Sequence, residues 1–164
     1  MKRVLSLILA LAFACLALCG CVFGDDMSYI SRQLNADLTG GKLLRFEDDH
    51  GGFLGDGETV AILDMSRASE KFLDRVEGWN PLPLSENLQL LLYGGRRDIK
   101  SYDGFAFLKE KGIPEVVNGF WYFRNRQEDI DWRNDDIFDA YSFNFTVAIY
   151  NKDTATLYFY EIDT

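Results

Sequence analysis

Residues 142–163 read SFNFTVAIYNKDTATLYFYEID, and this stretch decides the fold. Phe143, Phe145, Val147 and Ile149 alternate with Asn144, Thr146 and Ala148, the period of two expected of a strand with one buried face. Asn151-Lys152-Asp153-Thr154 is turn-forming, and Ala155 to Ile162 resumes an aromatic-rich strand that returns antiparallel. Tyr150, Tyr158 and Tyr160 are taken to fall in phase opposite to Phe143, Phe145, Val147 and Leu157. One face then buries phenylalanines and the other displays tyrosines among Asn144, Thr146 and Thr156. Tyrosine offers apolar area and a hydroxyl, which makes such a face a candidate surface for a sugar, a peptide or a partner protein. Cross-strand pairing that simply stabilises the hairpin accounts for the same residues.

Upstream, Asn118 to Arg124 supplies another short aromatic strand, and the acidic run Gln127 to Ala140 reads as a loop. Lys42 to Asp49 and Glu58 to Met65 are expected to pair around the glycine-rich segment 51–57, where Asp56-Gly57 is a hairpin signal. Leu44 and Phe46 are assigned to one face of the first strand. Helices are predicted over Met27 to Leu38, from Ser66 or Ser69 to near Gly78 with an apolar stripe of Ala68, Phe72, Val76 and Trp79, and from Ser85 through Leu92. The order predicts a single α+β domain over residues 27–164: an antiparallel sheet of about five strands with helices packed on one face.

The first twenty-one residues address location. Lys2 and Arg3 precede an apolar run from Val4 to Leu18 that closes on Leu18-Cys19-Gly20-Cys21. That pattern describes an export signal over residues 1–20, and its ending resembles the lipobox of bacterial lipoproteins. Cys21 is the expected lipidation site, followed by a tether to residue 26. The expectation is a membrane anchor through lipid on Cys21, with the domain on the extracytoplasmic face of the cell membrane. No second apolar run of transmembrane length follows. Removing the leader leaves 144 residues with Cys21 as the one cysteine, so a disulfide framework or a thiolate zinc site is excluded. It also removes Lys2 and Arg3 but no acid, leaving 15 basic against 26 acidic residues, a net of −11. Such a charge opposes nucleic-acid binding and favours cationic partners or ions.

Two constellations offer chemistry. Asp48-Asp49-His50 faces Asp56 and Glu58 across the predicted hairpin, and His50 is the sole histidine. These residues are ligand-binding candidates. Asp49 and Asp56 are also candidates for a hard cation, and His50 with Asp49 for acid–base catalysis. Turn chemistry alone explains the same composition. The second, Asp129-x-Asp131 with Asn134, Asp135, Asp136 and Asp139, fails as a calcium loop: the fifth, sixth and twelfth places hold Arg133, Asn134 and Ala140. No nucleophile elbow, phosphate loop or zincin motif occurs, and no cofactor is expected.

Asp49-His50-Gly51-Gly52-Phe53-x-Gly55-Asp56-Gly57, Leu82-Pro83-Leu84-Ser85-Glu86-Asn87-Leu88-Gln89, Ile113-Pro114-Glu115 and the two strands of 142–164 together resemble an uncharacterised group of small bacterial lipoproteins and exported proteins. The resemblance implies one compact domain and a lipid anchor, and carries no catalytic residue with it. In that group an Arg-His-Ser-like segment often follows the aromatic strand, where this chain has Arg124-Asn125-Arg126-Gln127. Three functional readings stand: a binding module for a protein or small molecule, an envelope enzyme using His50 with neighbouring carboxylates, and an acidic immunity or inhibitor protein.

Overall fold

The computed structural model describes residues 26–51, 55–76, 78–127, 130–131 and 133–164. The predicted leader over residues 1–20, Cys21 and the predicted tether up to residue 25, together with Gly52 to Leu54 and Asp129, lie outside them. Among the described residues, the chain runs α1 (Asp26–Leu34), β1 (Lys42–Asp48), β2 (Gly57–Asp64), α2 (Ser69–Leu73), β3 (Asn80–Pro81), α3 (Glu86–Tyr93), β4 (Arg96–Arg97), β5 (Lys100–Ser101), a 3-10 turn (Asp103–Phe105), α4 (Phe107–Glu110), β6 (Gly119–Asn125), β7 (Asn144–Asn151) and β8 (Thr156–Asp163). The main sheet has the order β1-β2-β8-β7-β6-β3, antiparallel at every pairing, while β4 and β5 form a separate small hairpin. This is a single-domain α+β fold.

Local chemistry accounts for the boundaries. Ser85 caps α3 by accepting the Leu88 N–H at 3.1 Å, and Gly94 ends the helix at φ 76°. α1 stops at Leu34 rather than Leu38, because Asn35 adopts a left-handed φ of 48°, a conformation asparagine tolerates and most residues do not. Of the stripe predicted for the second helix, Ala68 and Phe72 are buried and Val76 and Trp79 partly buried, with Phe72 edge-on against Trp79 at 5.5 Å, although α2 itself spans only Ser69–Leu73.

The helices do not share one face. α1 and α2 bury Ile30, Leu34 and Phe72 against Ala61, Leu63, Ala148, Tyr150, Leu157 and Phe159. α3 and α4 bury Leu88, Leu91, Leu92 and Leu108 against Phe123, Phe145, Val147, Ile149, Tyr160 and Ile162 on the opposite face. The sheet is therefore the middle layer of three and has six strands, the short β3 extending it beyond β6.

The tyrosine face is also corrected. Val147 pairs with Tyr160 and Ile149 with Tyr158, and directly opposed residues share a face. Tyr158 and Tyr160 thus lie with the phenylalanines, while Tyr150, opposite Leu157, lies on the other side. Tyr150 and Tyr160 are each 1% exposed and present no surface to a ligand. The turn sets this register, passing through Ala155 at φ 50°. A bulge similarly separates Leu44 from Phe46: pairing steps from Leu43↔Leu63 to Arg45↔Ile62, leaving Leu44 exposed while Leu43 and Phe46 pack beneath α1 and α2.

One glycine controls the β6–β7 pairing. Gly119 has φ 149°, and a Cβ there would lie 1.8 Å from the Tyr150 carbonyl oxygen. Gly119→Ala is expected to destabilise the protein by roughly 3 kcal/mol or more, whereas Gly104→Ala, whose Cβ meets nothing within 4 Å, should change stability by less than about 0.5 kcal/mol. Urea-denaturation midpoints of the two variants check this.

Candidate functional site

The α1 face of the sheet ends in a charged network rather than in apolar side chains. Along β8, Leu157 and Phe159 are followed in phase by Glu161 and Asp163. Glu161 is 1% exposed. Its carboxylate accepts hydrogen bonds from the Tyr29 hydroxyl of α1 and, at 2.6 Å, from the Thr146 hydroxyl of β7. Arg126, just past β6, brings Nη1 to 3.5 Å from Glu161 Oε1 and Nη2 to 3.0 Å from Asp163 Oδ1. The same guanidinium donates to the carbonyls of Phe145 and Ile162 at 3.3 and 3.0 Å.

His50 enters this network from the end of β1. The Asp48 carboxylate accepts the His50 backbone N–H at 3.0 Å and holds ring Nδ1 at 2.7 Å, a local Asx arrangement that orients the imidazole. Ring Nε2 lies 3.2 Å from Asp163 Oδ2. Close packing requires Gly57 beneath the ring, since a Cβ there would come within 2.4 Å of His50 Cα. Burial opposes a charge on the ring, but the hydrogen bonds and charges of Asp48 and Asp163 outweigh it and raise the His50 pKa above its usual value. Burial likewise opposes ionisation of Asp48, and its bonds to His50 outweigh that and lower its pKa. Burial, reinforced by Glu161, pushes the Tyr29 phenol well above its ordinary range.

Carboxylates at both ring nitrogens fit a protonated His50 that donates from each of them. In that state it has no free lone pair with which to act as a base. Thr59 Oγ1 approaches Nδ1 at 3.3 Å, but Thr59 is fully buried and out of reach of a substrate.

Asp48 and His50, singled out on the hairpin, do come together. Asp49 turns elsewhere, accepting the Glu58 N–H at 2.6 Å. Asp56 is exposed and meets the hairpin through its backbone carbonyl, which accepts from Gly51. Glu58 pairs with Lys111. A surface cavity of about 490 Å³ is lined by Phe46, Glu47, Asp48, Asp49, Glu58, Val60 and Lys111, so three of the hairpin candidates share one opening. Tyr29, Arg126, Glu161 and Asp163 were not among the sequence candidates. The available signal was two acids continuing the buried phase of β8.

No protein family, curated protein or solved structure matches the chain.

The network makes stability depend on pH with a defined sign. His50, raised in the fold, contributes stability that is complete below its unfolded value of about 6.5 and is lost as pH rises through the folded value. Asp48, lowered in the fold, contributes above its unfolded value and loses that contribution in acid. The stability gap between wild type and His50→Gln should therefore be wider near about pH 5.5 than near about pH 8.5. Urea midpoints at the two pH values measure it, and an equal gap at both contradicts the charged double-donor state.

Proposed function

We propose that this protein is a lipid-anchored protein of the cell envelope, facing outward, whose α+β domain binds a cationic group at the β1–β2 hairpin and does not turn it over. The observation that carries the binding part is the 490 Å³ cavity, whose lining holds Glu47, Asp48, Asp49 and Glu58 with Lys111; Arg45 pairs with Glu47, His50 with Asp48 and Lys111 with Glu58, so acids still outnumber their cations there. Its size suits a small ligand or one long basic side chain, and the charge imbalance favours an amine or guanidinium. The engaged ring nitrogens of His50 and the burial of Thr59 support binding over catalysis. The anchor rests on Leu18-Cys19-Gly20-Cys21 and on the resemblance to small bacterial lipoproteins. Among the described residues, no helix is long and apolar enough to cross a membrane.

Two experiments test the proposal. Cells fed a palmitate analogue should label the wild-type protein and leave Cys21→Ala unlabelled; equal incorporation removes the anchor. Spermidine and an arginine-rich peptide should raise the melting midpoint of the full chain by at least about 2 °C at saturation, through preferential binding to the native state. Glu58→Gln should reduce that rise, and added salt should weaken it. Midpoints unmoved by either ligand remove the cationic-group reading.

A further inference from the structure

The network at the sheet end contains a donor set that the hairpin cavity does not use. His50, Glu161 and Asp163 each offer one ligand atom, and these atoms lie within 4.8 Å of one another. Asp48 occupies Nδ1 at 2.7 Å, which leaves Nε2 turned toward Asp163 Oδ2 at 3.2 Å. A carboxylate behind an imidazole is the usual arrangement around a metal-ligating histidine, because it fixes the tautomer and the ring direction. Two donors 3.2 Å apart subtend roughly 100° at an ion about 2.1 Å from each, within the range of tetrahedral and octahedral sites.

We propose that His50 Nε2, Asp163 Oδ2 and one Glu161 carboxylate oxygen bind a single divalent transition-metal ion, with Asp48 as the orienting partner of the imidazole. The outer contacts are already in place: Tyr29 and Thr146 hold Glu161, and Arg126 Nη2 lies 3.0 Å from Oδ1 of Asp163 while Oδ2 faces His50 Nε2. Arg126 is itself fastened by two backbone carbonyls, so it lies beside the ligands as a fixed charge. With the imidazole neutral, as a ligand must be, the carboxylates of Asp48, Glu161 and Asp163 against Arg126 leave a charge of −2, which one divalent ion neutralises. The ion replaces the Nε2 proton, which leaves to solvent, and nothing is oxidised or reduced. Entry is open, because the His50 and Asp163 side chains are 20% and 30% exposed. One imidazole with two carboxylates favours zinc, cobalt, iron or manganese over calcium, which prefers an all-oxygen cage.

The site is separate from the cationic-group cavity in all but Asp48, and the proposal does not rest on that reading. Cobalt(II) is the probe, added to the full chain in detergent and followed by equilibrium dialysis and visible absorption. The expected result is one equivalent bound with the spectrum of nitrogen and oxygen ligands. His50→Ala and Asp163→Asn should each weaken binding about 100-fold and Asp48→Asn about tenfold, while Asp56→Asn binds as wild type. Asp163→Asn keeps the side-chain shape, and its far-UV circular dichroism confirms that the loss is not unfolding. Less than one equivalent at 100-fold excess cobalt overturns the proposal. So does binding that survives both His50→Ala and Asp163→Asn, including a thiolate charge-transfer band from the leader cysteines. Either failure leaves the spermidine response of the cavity intact, so the two readings fall separately.

Discussion

The buried carboxylate of Glu161 is the constraint that organises this end of the molecule. An ionised carboxylate withdrawn from water costs several kcal/mol unless hydrogen bonds and a counter-charge replace its hydration. Its partners are Tyr29 on α1, Thr146 on β7 and Arg126 beyond β6, three segments far apart in the chain. Meeting the demand of one side chain therefore sets the rotation of α1 on the sheet and the direction in which the chain leaves β6. Apolar packing of Ile30 and Leu34 against Phe159 and Ala61 is non-directional and specifies this geometry less sharply. The directional bonds at Glu161 supply that specification.

The middle-layer position of the sheet explains which parts of the fold were legible from sequence. β7 and β8 are the central strands nearest both helical layers, and both of their faces are apolar. Their hydrophobicity marks them as strands at once, and the turn at 151–154 joins them without ambiguity. Faces are harder to assign in a strand buried on both sides, because Leu157 and Phe159 are as apolar as Ile162 opposite them. Phase cannot be carried across a turn by inspection, so Tyr158 and Tyr160 were placed on the wrong side. The bulge at Leu44 has the same character: one inserted residue changes the face of everything beyond it. The helices on two sides follow from this, since a sheet with two apolar faces cannot remain solvated on one.

The site was half visible for a related reason. Asp48 and His50 are two residues apart in sequence, and their contact is local. Arg126 and Asp163 are brought to His50 by the strand order β2-β8-β7-β6, which places the ends of four strands side by side. Glu161 and Asp163 did carry a signal, because a charge in the same phase as Leu157 and Phe159 must either leave the core or find partners there. Asp49, which composition put beside His50, instead satisfies the Glu58 N–H across the hairpin. That is the ordinary use of an aspartate near a turn, and only the fold distinguishes the two aspartates.

The strongly acidic composition then resolves into two different electrostatic situations. At the sheet end the carboxylates are interleaved with cations: Asp48, His50, Asp163, Arg126 and Glu161 alternate in sign along one chain of contacts. Repulsion is relieved there by the protein's own residues. Around the hairpin cavity, Glu58 pairs with Lys111, Glu47 with Arg45 and Asp48 with His50, and acids still outnumber bases in the lining. A potential of one sign in a concave, partly apolar opening is worth more than the same charges spread over a flat surface, because the low-dielectric walls focus it. Asp48 belongs to both situations, its carboxylate gripping His50 on one side and bordering the cavity on the other.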